Sequence, residues 1–310
     1  MNPLAGNVLS QLGLTRPPFP PTPDAQCYFH TPALERELAE VTHCLRERKG
    51  FVLLTGEVGM GKSTFVRHLL DTLEGGGVTV SLVFNTFLQG SALLTAVLRD
   101  FGLESATDMA TDIDTLNRFL VRRWNEMAIC VLVIDDAQNL AVESLELLRL
   151  LSNLETGQEK LLQVVLCGQP ELRTLLARDD IRQLATRIVK HVVLEPLDAE
   201  QTRRYVDYRL ATAGAAGRIS LDSAAHKALY EDSRGNPRRI HLVMDRCLYG
   251  VLAATNGGID VRLLRAAAAE AGVLPLKRRR GIDVTWEPFV AITMSALLAV
   301  ILAWALFGRT

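Results

Sequence analysis

One stretch, Gly56-Glu57-Val58-Gly59-Met60-Gly61-Lys62-Ser63-Thr64, constrains what this chain can fold into more than any other. It satisfies G-x-x-x-x-G-K-[ST] at every fixed position. The flanks agree with it. Residues 51–55 (FVLLT) form a short apolar run suited to a buried parallel strand, and Phe65, Val66, Leu69, Leu70 and Leu73 then recur at helical spacing. A strand that turns through glycines into a helix points backbone N–H groups at phosphate oxygens, and the helix N-terminus adds partial positive charge. Residues 56–64 are therefore the expected cradle for ATP. Lys62 should reach the β- and γ-phosphates, and the Ser63 hydroxyl should hold Mg²⁺.

A second apolar run, 130–134 (CVLVI), ends in Asp135-Asp136. Asp135 at the strand end is expected to bind Mg²⁺ through water, and Asp136 to orient or deprotonate the attacking water. Further strands are expected at 78–84, 161–167 and 189–194, with amphipathic helices between them, for example over 142–154. The fold class is thus α/β, a mostly parallel sheet with helices on both faces and its ligand at the carboxyl ends of the strands. From about Pro196 the pattern turns helical, near 198–213, 221–233, 237–254 and 260–271, which reads as a small helical lid. Residues 1–195 are the expected nucleotide-binding domain and 196–275 the lid.

The chain has 310 residues, 48% hydrophobic and 22% charged, which excludes a disordered chain or a small disulfide scaffold. Its five cysteines form no C-x-x-C pair and read as reduced cytosolic residues. Charge is uneven. Residues 277–310 carry five basic and two acidic side chains, a net +3, which leaves −4 on residues 1–276. Such a body is not an expected nucleic-acid binder.

Residues 289–307 (FVAITMSALLAVILAWALF) carry no charge. As a helix they would span roughly 28 Å, close to the thickness of a bilayer's hydrocarbon core. Trp286 and Trp304 lie near the two ends, and Lys277-Arg278-Arg279-Arg280 precedes the run. The expectation is one C-terminal transmembrane helix in the lipid bilayer, joined to the lid by a basic juxtamembrane neck at 276–288. The cluster and the nucleotide-binding domain would lie on the cytoplasmic side of that membrane.

A nucleotide loop followed by a helical lid looks like an AAA+ ATPase. In detail the chain resembles the general secretion pathway protein A (ExeA-type) ATPases. The resemblance rests on Pro17-Pro18-Phe19 with Thr22-Pro23-Asp24, Thr55–Gly59, 135–140 (DDAQNL), 150–155 (LLSNLE), 168–172 (GQPEL) and Gly235-Asn236-Pro237-Arg238. It covers about residues 12–272. It implies that Gln169 is a sensor residue positioning water at the γ-phosphate. Arg238 would be a lid arginine reaching the same phosphate. Arg187, with Arg182 as second choice, would be an arginine finger acting on a neighbour's nucleotide, which implies a ring-like oligomer. The partners it implies are envelope proteins of type II secretion, type IV pili or exopolysaccharide export.

Two departures stand out. The family usually has Asp-Glu where this chain has Asp135-Asp136, so hydrolysis is expected to be slow. Secretion-type members often carry a peptidoglycan-binding region beyond the membrane helix, and here three residues follow it, so direct cell-wall binding is not expected. The alternatives are a DNA-associated AAA+ regulator of transposition type, which the membrane helix and the −4 body oppose, and a nucleotide-gated scaffold with negligible hydrolysis. The proline-rich 17–23 reads as a stiff loop near the adenine.

Overall fold

The computed structural model describes residues 10–22, 27–73, 77–84, 88–106, 108–253 and 258–273. The expected neck and membrane helix, 276–288 and 289–307, lie outside the described residues. Among the described residues no helix is long and apolar enough to cross a membrane.

The chain opens with α1 (Pro32–Arg46), β1 (Phe51–Gly56), α2 (Lys62–Leu73) and β2 (Val78–Val83). Then come α3 (Ser91–Asp100), α4 (Met109–Asn125), β3 (Ile129–Ile134), a 3₁₀ turn at Ala137–Asn139 and α5 (Val142–Leu151). The α/β part ends with β4 (Leu162–Gly168), α6 (Glu171–Leu176), α7 (Arg182–Ala185) and β5 (Ile188–Leu194). All five strands are parallel, in the order β2-β3-β4-β1-β5. The sheet strands sought in the sequence are all present, within two residues of their expected ends.

β1, β3 and β4 occupy the centre of the sheet and are buried along their whole length. That is why they read as unbroken apolar runs rather than as alternating ones. Successive side chains still point to opposite faces. Phe51, Leu53, Leu132, Ile134, Val164 and Leu166 pack under α3, α4 and α5. Val52, Leu54, Val131, Val133 and Val165 pack under α1 and α2. The arrangement brings the carboxyl ends of β3, β4 and β1 side by side, as a sheet with its ligand at the strand ends requires.

The helical part contains α8 (Ala199–Thr212), α9 (Ser223–Ser233), α10 (Pro237–Ala253) and α11 (Val261–Glu270). Its one departure from the all-helical expectation is a two-residue parallel pairing of β6 (Ser220–Leu221) with β7 (Gly258–Ile259). Aspartates start three of these helices. Asp198 makes a reciprocal capping box with Gln201, and Asp222 and Asp260 each accept a backbone N–H in the first turn.

The N-terminal segment belongs with this helical part. Leu14 and Phe19 are buried in its core with Tyr205, Val206, Ile240 and Met244. Arg209 Nε donates to the Pro18 carbonyl at 2.7 Å, and Arg209 Nη1 to the Cys27 carbonyl at 3.1 Å. The His241 ring nitrogen Nδ1 lies 2.9 Å from the Pro20 carbonyl. Side chains of α8 and α10 meet carbonyls of the N-terminal segment that no regular secondary structure pairs. The proline-rich stretch is thus a strap over α8 and α10. All five cysteines are free thiols.

Candidate nucleotide site

The loop between β1 and α2 carries the first half of the site. Gly59 and Gly61 adopt φ of +85° and +89°, the left-handed region open to glycine. Gly59 has a second reason to be glycine: a Cβ there would lie 2.5 Å from Arg238 Cβ and 2.8 Å from Asn236 Oδ1. Glu57 and Val58 are exposed, while Met60 turns back so that its N–H donates to the Glu57 carbonyl at 3.3 Å. Lys62 is buried, and its ammonium donates to the carbonyls of Gly56 at 2.7 Å and Glu57 at 3.2 Å. Ser63 and Thr64 follow in the first turn of α2, both half-buried.

The second half comes from β3 and β4. Ser63 Oγ donates to Asp135 Oδ2 at 2.9 Å, so the two expected Mg²⁺-side oxygens share one point. A hydroxyl beside a carboxylate is a hard oxygen donor set, and it fits Mg²⁺, which takes one or two protein oxygens plus phosphates and water. The Asp136 N–H donates to Asp135 Oδ1 at 3.0 Å, and Asp136 itself takes the left-handed conformation, φ 51° and ψ 37°. Cys167, buried in β4 opposite Leu54, lies beneath these groups. Burial first, and Asp135 second, hold its thiol well above its ordinary value, so it stays a neutral thiol.

Gln169 directly follows β4 and is half-buried. Arg238 is exposed in the first turn of α10, and its Cβ and Cδ approach the position a Cβ would take on Gly59. The Arg238 N–H also donates to the Gly59 carbonyl at 3.2 Å. Lys62, Ser63, Asp135, Asp136, Gln169 and Arg238 are thus brought to one end of the sheet.

Arg187 is at the other end. It directly precedes β5, whose Ile188 pairs with Phe51 while Leu194 pairs with Gly56. Six strand residues put it about 20 Å from its own loop. Its guanidinium bonds to Ser152 Oγ and the Arg149 carbonyl. Arg182 is exposed at the start of α7.

Two residues of the site were given no role from sequence. Asn236 Nδ2 donates to the Val58 carbonyl at 2.9 Å, while its Oδ1 accepts the N–H groups of Arg238 at 3.0 Å and Arg239 at 3.2 Å. It caps α10 and clasps the lid to the loop in one stroke. An asparagine before Pro237 is a helix-start signal, which could have drawn notice to it. Gln138 Nε2 donates to Asp136 Oδ1 at 3.1 Å, and its Oε1 accepts the Gln169 N–H at 2.9 Å. It lies within the 135–140 stretch (DDAQNL) that carries the family resemblance, but that pattern does not say what its carboxamide bonds to.

Known proteins resemble this chain in sequence and in fold. Residues 45–176 match the family model described as "AAA domain". The chain is 35% identical over 294 residues to general secretion pathway protein A of Aeromonas hydrophila, an alignment that covers 94% of this chain. Residues 45–176 thus match an AAA domain, and along 94% of its length the chain is similar to general secretion pathway protein A. The chain spans 52% of that relative's length. Among solved structures, the AAA ATPase fold is shared with Cdc6p of Pyrobaculum aerophilum (TM-score 0.66, 16% identity, 83% of this chain and 72% of that one). It is shared also with the ORC1 protein of Aeropyrum pernix, solved in complex with DNA (0.62, 18%, 83% and 70%). The RuvB branch migration motor of Thermotoga maritima matches as well (0.54, 16%, 82% and 73%). At these identities the structural likeness speaks for the fold alone.

Proposed function

We propose that this AAA ATPase is anchored in the bacterial inner membrane by residues 289–307 and hydrolyses ATP to drive or time the assembly of an envelope export system. Type II secretion, type IV pili and exopolysaccharide export are the candidate machines. The observation that carries the reading is the alignment with general secretion pathway protein A over 94% of this chain.

In this reading Lys62 and the N–H groups of the loop bind and orient the β- and γ-phosphates. Mg²⁺ held at Ser63 and Asp135 would neutralise charge on the phosphate oxygens. Asp136 accepts a proton from the attacking water, Gln169 orients that water, and Arg238 senses the γ-phosphate from the lid. Arg187, too far from its own loop, acts on the nucleotide of the next protomer in a ring-like oligomer. A second reading, a nucleotide-gated scaffold with negligible hydrolysis, draws on the short carboxylate of Asp136.

The test is a pull-down of the full-length chain from detergent-solubilised membranes with ATP and Mg²⁺, alongside multiple-turnover phosphate release. Co-purification of secretin, pilus or polysaccharide-export components with sustained release supports the first reading. ATP binding without turnover favours the scaffold. Recovery of the chain from the soluble fraction with DNA-bound recombination proteins would sink both.

A further inference from the structure

Asp136 needs to be held in place. Its backbone is left-handed, its side chain is exposed, and it has one methylene fewer than the glutamate expected from the family resemblance. An aspartate free to rotate there would spend much of its time turned away from a water at the γ-phosphate. Gln138 supplies the restraint. Its carboxamide sits between two strand ends, donating to Asp136 Oδ1 at 3.1 Å and accepting the Gln169 N–H at 2.9 Å. A backbone N–H can only donate, so the amide oxygen must face Gln169 and the amide nitrogen must face Asp136. The absence of a side chain at Gly168 leaves room for it. A Cβ on Gly168 would come within 2.8 Å of both Gln138 Oε1 and Leu172 Cδ2.

We infer that Gln138 is a positioning residue for the hydrolysis proposed above. It ties the Asp136 carboxylate at the end of β3 to the Gln169 backbone at the end of β4, so that the base and the water-orienting residue move as one. The inference rests on the ATPase reading. Neither of these hydrogen bonds involves the phosphate-binding loop, so its effect belongs on turnover and not on nucleotide affinity.

The test uses full-length protein in detergent micelles, with kcat and KM for ATP measured from about pH 6 to about pH 8. Gln138→Glu keeps the oxygen that accepts the Gln169 N–H but faces Asp136 with a second carboxylate oxygen. At the upper pH its kcat should fall about tenfold or more while KM stays within about twofold. As pH drops and the introduced carboxyl protonates, it regains a donor, and the ratio to wild type should recover. Gln138→Ala should lose turnover to a similar degree with no such recovery, and it serves as the readout if the first variant does not fold. Two results would overturn the inference in a wild type that turns over: Gln138→Glu with wild-type kcat throughout, or KM rising in step with the loss of kcat. A wild type that binds ATP without turnover fails the ATPase reading itself, and the inference falls with it.

Discussion

Asp136 and Gly59 show how much of this site depends on single residues. The Asp136 carboxylate is fixed by Gln138 yet otherwise open, the environment of a group that meets water and substrate. Asp136→Asn keeps the shape and removes the base. We expect it to bind ATP as the wild type does and to lose about two orders of magnitude in turnover. Phosphate release measured beside fluorescent-nucleotide binding checks this, and an unchanged rate would remove Asp136 from the mechanism. Gly59→Ala places a methyl group where Arg238 and Asn236 already sit, at φ +85°. Strain of this kind costs about 1–3 kcal/mol. The variant should unfold at lower urea and also bind ATP more weakly, because the loop and the lid both have to give way. Unchanged stability would mean the clasp between them is loose.

At the level of elements, helix caps and strand ends decide what meets what. Asn236 starts α10 and in doing so fastens it to the Val58 carbonyl, so a helix-capping requirement became an inter-element contact. β5 is an edge strand, and Lys190 on it is paired with Glu37 and Glu40 of α1, which covers part of an otherwise open flank. His191, on the opposite face of β5, bonds to the Thr55 hydroxyl at 2.8 Å just before the phosphate loop. Burial, then Arg173, lowers its pKa, and burial likewise lowers that of His226 in α9, partly opposed by Asp207. Both histidines protonate more readily in the unfolded chain, so the native state is favoured above their unfolded value of about 6.5 and loses stability as pH falls below it. Urea midpoints should therefore drop between about pH 7.5 and pH 5.5, and His191→Gln with His226→Gln together should flatten that drop. An identical slope in the double variant would show that other groups govern acid sensitivity.

For the whole molecule, the question is whether one chain suffices. Six of the expected site residues converge at the carboxyl end of the sheet, and Arg187 stands at the amino end. If Arg187 acts on the next protomer, Arg187→Ala and Lys62→Ala should each be inactive alone, the first lacking a finger and the second unable to bind nucleotide. Mixed in equal amounts they should regain hydrolysis, because a protomer with an intact loop can then meet an intact finger. No recovery on mixing, or full activity of Arg187→Ala by itself, would rule out that role.

Much of this architecture was legible along the chain. The glycine-lysine-serine loop can be read because its function requires fixed residue types at fixed spacing, and the central strands because burial on both faces demands unbroken apolar runs. Asp135, placed where such a run stops, followed from the same logic. What the sequence alone left open was proximity between segments distant in the chain. Pro18 and Pro20 gave no sign that their carbonyls would be met by Arg209 and His241, some 190 and 220 residues later. Gln138 and Asn236 stood in stretches that the resemblance singled out, but their contacts did not show there, since a carboxamide's role lies in which donor and acceptor come within hydrogen-bond reach of it. The order β3-β4-β1 settled those distances. Local pattern determines which segments become strands and helices, but only the packed sheet and lid decide which side chains share a site, because hydrogen bonds act over ångströms in space whatever their separation along the chain.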